Sequence, residues 1–218
     1  MALFRLPLFL NRNISFFKLM GCGKNGTFDK HPDWQQWGIM TVQNHDGVDT
    51  ISNNALIKKL YGSFIHAWLQ CFHCEIWTIL LEPLEGHGKW DQKEPFGNLP
   101  KQSGYEGPIA ILTRATIRLS KLSAFWQNVD SVAKQMSAAN GFITSIGIGE
   151  MPYIKQATFS IWESKEAMKQ FAYQMSQHTE VIKKTRKENW YSEDMFVRFR
   201  PIKTMGSIKG NDPLKGKL

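Results

Sequence analysis

Alternating apolar and polar residues predict strands at Phe16–Met20, Gln36–Val42, Glu75–Leu81, Ile109–Arg118, Phe142–Ile148, Lys155–Trp162 and Met195–Arg200. Apolar residues recurring every three or four positions predict helices between them. The first covers Asn53–Leu69, with Ile57, Tyr61, Phe64 and Trp68 on one stripe. The second covers Ser123–Ala139 and stops at Asn140-Gly141, a sound C-terminal punctuation. The third is capped by Ser164 and reaches about Asn189. Pro83 is expected to close the third strand, because proline cannot donate to a ladder.

Residues 109–201 thus read β-α-β-β-α-β, the order of a ferredoxin-like unit. Residues 1–84 repeat that order from its second strand onward. FKLMGCG (Phe17–Gly23) and ITSIGIG (Ile143–Gly149) both end in Gly-x-Gly, and the strands that follow start near Gln36 and Gln156. His66 precedes Trp77 by eleven residues, and His178 precedes Trp190 by twelve. Together these coincidences point to duplication. The expected class is α+β: two ferredoxin-like halves packed sheet against sheet as a barrel, the first half lacking its opening strand. Either the start codon lies inside an ancestral domain or a partner replaces that strand. A Gly/Pro-rich connector, residues 85–108, is a linker or a lid. Residues 202–218, rich in lysine and without an apolar period, read as a flexible tail.

Composition narrows the function classes. With 42% hydrophobic and 21% charged residues in 218, the chain is an ordinary globular one, and no apolar run is long enough for a helical membrane span. The apolar start, MALFRLPLFL, is too short for a signal-peptide core, so a cytoplasmic setting is expected. Three cysteines exclude a disulfide framework. The net charge of +8 favours anionic partners: an acidic redox protein, or anionic lipid on the inner face of a membrane. Nucleic acid is not expected, since no recognition module accompanies the basic run Lys183–Lys187. Cys71-Phe-His-Cys74 lacks a second ligand pair for zinc, and Glu75 stands where a covalent haem site needs histidine, so it reads as structural. Hydrolase and nucleotide-binding motifs are missing.

Three residues stand out as candidates. His178 continues the helical stripe Met168, Phe171, Ala172, Met175 and precedes Ile182, so it is either a core histidine or an axial haem ligand in an apolar wall. His66 lies about 200° round its helix from Phe64 and faces away. Arg114 points opposite to Ile109, Ile111 and Ile117. It either faces the barrel cavity, where it would pair a propionate or polarise bound oxygen as a catalytic group, or ends its strand in solvent. Trp162 shares a face with Thr158 and Ser160 and either lines the same cavity as a cofactor contact or fills it.

Several segments together resemble the spheroidene monooxygenase family of carotenoid-modifying enzymes: FFKLMGCGKNGTF, EGHGKWDQKEPF, GPIAILTRATIR, GIGEMPYIKQATFSIW and KENWYSEDMFVRF. The likeness spans about Phe16 to Pro201, with TRATIR and ATFSIW its most specific pieces. It implies a haem-dependent monooxygenase that uses dioxygen and external electrons to hydroxylate and oxidise the end of an acyclic carotenoid to a keto group, on a fold related to dimeric α+β barrels. With no reductase or flavin motif in the chain, the basic charge favours an acidic ferredoxin-type donor. The alternatives are a haem peroxidase-like or dehydratase enzyme on another apolar molecule, and a non-catalytic haem- or lipid-binding module.

Overall fold

The computed structural model describes residues 2–24, 31–43, 53–178 and 189–218, with every side chain in them except those of 53–54 and 175–178. The strands are β1 (Ile14–Gly23), β2 (Pro32–Gln43), β3 (Trp77–Gly88), β4 (Ile109–Ile117), β5 (Phe142–Met151), β6 (Lys155–Trp162) and β7 (Tyr191–Gly206). The helices are α1 (Arg5–Leu10), α2 (Asn53–Tyr61), α3 (Ser63–Cys71), α4 (Leu122–Ser137) and α5 (Lys165–His178).

All the strands join one antiparallel sheet in the order β2-β1-β5-β6-β4-β7-β3. The expected packing of one sheet on another is therefore corrected: the halves meet edge to edge. Their seam is the pair of Gly-x-Gly repeats, with Gly21 opposite Gly149 and Cys22 opposite Ile148. Cys22 and Ile148 hold the same position in the two repeats, so a local pseudo-two-fold axis passes between them. Within the second half, β4, α4, β5, β6, α5 and β7 follow in chain order, with the spatial order β5-β6-β4-β7. The strand β3, from the first half, crosses over to pair with β7 along its whole length.

The sheet curls, and its two faces differ. On the inner face Phe16, Met20, Leu112, Ile161, Val197 and Phe199 form the main core. On the outer face, Met136 of α4 and Met168 of α5 pack on Ile109, Ile111 and Trp162. There too, Phe4, the α1 residue Leu8 and the α3 residue Ile65 pack with Phe17, Leu19 and Ile39. Strand parity alone separates the sets, since successive side chains point to opposite faces.

Three local expectations change. The strand β3 does not stop at Pro83 but runs to Gly88, absorbing the proline at a register shift between Pro83 and Glu85. An edge strand tolerates this, because the missing N–H has no ladder to serve. The single helix expected over Asn53–Leu69 breaks at Gly62, whose φ of +86° suits glycine. The break resets the phase, so Ile65 is fully buried and Phe64 is 52% exposed. The tail is not free: β7 extends to Gly206, and Leu214 is completely buried in the inner core. Asp212 fixes that turn by accepting hydrogen bonds from Trp77 Nε1 and the Leu214 N–H, both at 3.0 Å.

Candidate functional site

The connector supplies what the sequence reading left undecided. Its residues Trp90 and Lys93 close a tight hairpin through paired backbone hydrogen bonds of 2.9 and 3.1 Å. Asp91 and Gln92 between them both have positive φ, 49° and 62°, the pattern of a type I′ turn. That turn lays the Trp90 indole, fully buried, on the inner face beside Phe16. Phe96 and Leu99 follow it into the same core. The connector is thus a plug.

Arg114 lies under this plug with 1% of its side chain exposed. Its guanidinium pairs with Glu193 and, at 3.4 Å, with Asp91; it also lies 5.6 Å from the Trp90 ring. Trp90 Nε1 donates to Glu150 at 2.5 Å. Lys18 bridges Glu150, at 2.7 Å, and Asp91, while Lys155 holds Asp91 at 2.6 Å. The N–H groups of Asp91 and Gln92 both donate to the Glu193 carboxylate, at 3.0 and 2.8 Å. Three cations face three carboxylates, each pair drawn from distant parts of the chain. Among the described residues the Arg114 Nε–H has no hydrogen-bond partner.

The cluster sets its own titration. Burial pushes the Asp91 carboxyl up, but hydrogen bonds and charge from Lys155 and Lys18 outweigh it and bring the group down to about 2. Glu193 is likewise held below the ordinary range: desolvation raises it, and the Gln92 N–H, Arg114 and the Asp91 N–H lower it further. Both folded values lie below the unfolded ones, so this stabilisation is complete above the ordinary carboxylate pKa of about 4 and is lost as pH falls below it. Urea-unfolding midpoints should accordingly stay level above pH of about 5 and drop steadily toward about pH 2. The Asp91→Asn variant should show a shallower drop; an unchanged slope would mean that Asp91 does not carry it.

A second charged group lies on the outer side. Glu85, 1% exposed, binds Arg198, the Ser103 N–H and Lys165 Nζ, the last at 2.7 Å, beside a cavity of about 450 Å³. Burial raises this carboxyl, and Lys165, Arg198 and Ser103 more than reverse that.

The structure separates the sequence candidates. Arg114 points to the inner face, opposite to Ile109, Ile111 and Ile117, but into carboxylates of its own chain. Trp162 stands across from Ile109 and therefore on the outer face, against Phe142 and Phe171 at ring distances of 5.4 and 5.2 Å. It fills that interface and shares no compartment with Arg114. His178 is the last residue of α5, a helix seated on the outer face; its side chain lies outside the described residues. His66 is half-buried, and its Nε2 is enclosed without a hydrogen-bond partner among the described residues. Among the described residues no group of His, Cys, Asp and Glu is arranged to hold a metal ion. Burial, then Asp33, pushes the Cys22 thiol up to about 11, so it is no nucleophile near neutrality.

Lys18, Trp90, Asp91, Glu150, Lys155 and Glu193 were missed because ion pairs between distant segments leave no local periodicity. One signal was present: each of the five family-like segments contributes to this cluster. Residues 109–198 match a domain of unknown function, DUF3291. Over 223 residues the chain is 34% identical to a spheroidene monooxygenase of Rhodobacter capsulatus, covering 100% of this chain and 88% of that one. The Cereibacter sphaeroides spheroidene monooxygenase is 34% identical over 200 residues, which make up 91% of this chain and 59% of that protein. The chain belongs to the spheroidene monooxygenase family. Among solved structures, an anthrone oxidase-like protein is similar at 12% identity with a TM-score of 0.32, over 96% of this chain and 86% of that one.

Proposed function

We propose that this chain is a monooxygenase that oxidises an acyclic carotenoid. The observation that carries the reading is the convergence of all the family-like segments on the Arg114 cluster, in a chain that belongs to this family. In such a reaction one atom of dioxygen enters a C–H bond of the polyene and the other leaves as water. A pair of electrons and two protons come from outside, since the chain has no flavin or nicotinamide motif. An acidic ferredoxin-type donor suits a surface of net charge +8. Peripheral contact with anionic lipid is supported by α1, where Leu6, Phe9 and Leu10 are 65%, 77% and 66% exposed. No helix among the described residues is long and apolar enough to cross a membrane.

Haem, which the resemblance implies, would supply the activation of dioxygen. The described inner face does not fit it: Trp90, Phe96, Leu99 and Leu214 occupy the space where a macrocycle was expected. His178 as its ligand rests on helical spacing alone, with the sheet lying between α5 and Arg114. The part this chain's residues play is therefore to orient and to dry. Arg114 acts as a positioning residue that fixes the Trp90 hairpin, and the hairpin walls the inner face from water. The filled core also favours a second reading, an apolar-ligand-binding module without turnover.

The test is to incubate the protein with an acyclic carotenoid, ferredoxin, its reductase and isotopically labelled dioxygen. The expected product carries labelled oxygen at the oxidised carbon, one atom whether that carbon ends as an alcohol or, after a second insertion and loss of water, as a ketone. Carotenoid retained but never oxygenated would overturn the enzyme reading in favour of the module. An absorption spectrum of the same sample decides haem separately.

A further inference from the structure

Beside the connector the inner core has a crevice of about 240 Å³, between β7 and residues 94–99. The buried side chains of Met195 and Val197 form its floor, and Phe96 and Leu99 form its roof. All four pack in the inner core. The volume falls below the range of about 300–1,000 Å³ typical of pockets that enclose a whole ligand, so the crevice suits the end of a long molecule. With His87 neutral, its charged lining residues are Glu94 and Lys101, one of each sign, above an apolar floor. Such a lining favours a neutral, apolar occupant.

The strand β7 leads from this crevice to the Arg114 cluster. Met195 stands directly opposite Arg114, and Val197 opposite Leu112, in the β4–β7 register. Residues so opposed have Cα atoms about 4.5–5.5 Å apart. Glu193, which pairs with Arg114, is the next residue of β7 on the same face as Met195. A chain end lying along Val197 and Met195 therefore stops against Glu193, Arg114 and the Trp90 indole.

The connector is held unequally along its length. Its hairpin is anchored by the enclosed Trp90 ring and by the ion pairs of Asp91 with Lys18 and Lys155. Residues 94–99 are held less firmly. Phe96 and Leu99 are only partly buried, and the Lys89–Glu94 pair is exposed and 3.9 Å long, which adds little. Their backbone is tied by the Gly97 N–H to the Glu94 carbonyl at 3.1 Å, and just beyond them by the Gly86 N–H to the Pro100 carbonyl at 3.2 Å. Segments with few buried contacts open at low cost. Raising residues 94–99 vacates the space of a phenyl ring and a leucine side chain beside the crevice. The result is a slot along β7, still too narrow for a macrocycle because Trp90 and Leu214 stay in place.

We infer, resting on the proposed oxidation of an acyclic carotenoid, that the end of this neutral apolar chain binds beneath residues 94–99. It lies on Val197 and Met195 and lifts Phe96 and Leu99, while the Trp90 hairpin keeps its place. The probe is farnesene, a neutral acyclic isoprenoid hydrocarbon, added to the full protein. The expected result is saturable binding, with amide hydrogen exchange at Gly86 quickened about tenfold or more as the Pro100 carbonyl leaves it. Exchange at Asp91 and Gln92, whose N–H groups donate to Glu193, should not change. Asn98→Trp, which adds bulk to the crevice from an exposed position, should weaken binding about tenfold or more. Lys101→Gln should leave it within about twofold, because no ionic group is held. Absent or unsaturable binding, unchanged exchange at Gly86, quickened exchange at Asp91 and Gln92, or loss of binding in Lys101→Gln would each overturn the proposal. So would full binding by a folded Asn98→Trp protein. The measurement involves no turnover and is independent of the labelled-dioxygen assay. Binding as expected supports the site even without oxygenation, and its absence overturns the site even where oxygenation occurs.

Discussion

Replacing Arg114 with methionine should destabilise the protein by about 3–5 kcal/mol, the usual cost of breaking a buried ion pair from one side. The guanidinium is 1% exposed and faces Glu193, 12% exposed, and Asp91, 36% exposed. Methionine fills similar volume, so packing contributes little to the loss. The cost comes from carboxylates left in a poorly solvated place with fewer donors. Glu193 keeps the N–H groups of Asp91 and Gln92, and Asp91 keeps Lys18 and Lys155, which puts the expected value toward the lower end. Replacing Glu193 with glutamine as well should recover part of it, since the unpaired charge is then gone. Urea-unfolding midpoints at constant m measure both steps. A loss below about 1 kcal/mol for the single variant would mean that water reaches the carboxylates and the pair behaves as a surface bridge.

How far this site could be read in advance depends on the range of each interaction. The orientation of Arg114 was legible because β4 alternates strictly, and parity needs only neighbouring residues. The same parity placed Trp162 with Ser160 but could not say which face was inner; that follows from Ile109 standing opposite Trp162, a pairing between separate strands. The Gly-x-Gly repeats were visible, yet their mutual pairing was not, so edge-to-edge joining was read as face-to-face packing. A helical stripe counted through Gly62 assigned Phe64 inward, because periodicity assumes an unbroken axis. Leu214 anchors a tail with no apolar period, since one buried side chain needs no pattern around it. Long-range charge pairing was beyond any window: Arg114 and Glu193 are 79 residues apart.

Removing the Trp90 indole should be the severest single change to the connector. Trp90→Ala is expected to cost about 3–5 kcal/mol, as truncation of a fully buried tryptophan generally does. The ring is completely enclosed and packs edge-on against Phe16 at 5.9 Å, with Lys18 and Arg114 over its face at 5.4 and 5.6 Å. Those cations lose an attractive surface along with the apolar contact. Because the hairpin at Asp91 and Gln92 holds two non-glycine residues at positive φ, its conformation persists only while its surroundings enforce it. Loss of the anchor should therefore free the connector as well as weaken the core. Limited proteolysis should cut the alanine variant between Lys89 and Lys101 under conditions that leave the unaltered protein whole. Trp90→Phe separates the two effects: it keeps a ring against Phe16 but removes the Nε1–H that Glu150 accepts, a loss of about 1–2 kcal/mol. Its connector should stay resistant. Equal cleavage of the phenylalanine and alanine variants would show that the Glu150 hydrogen bond, rather than burial of the ring, keeps the plug in place.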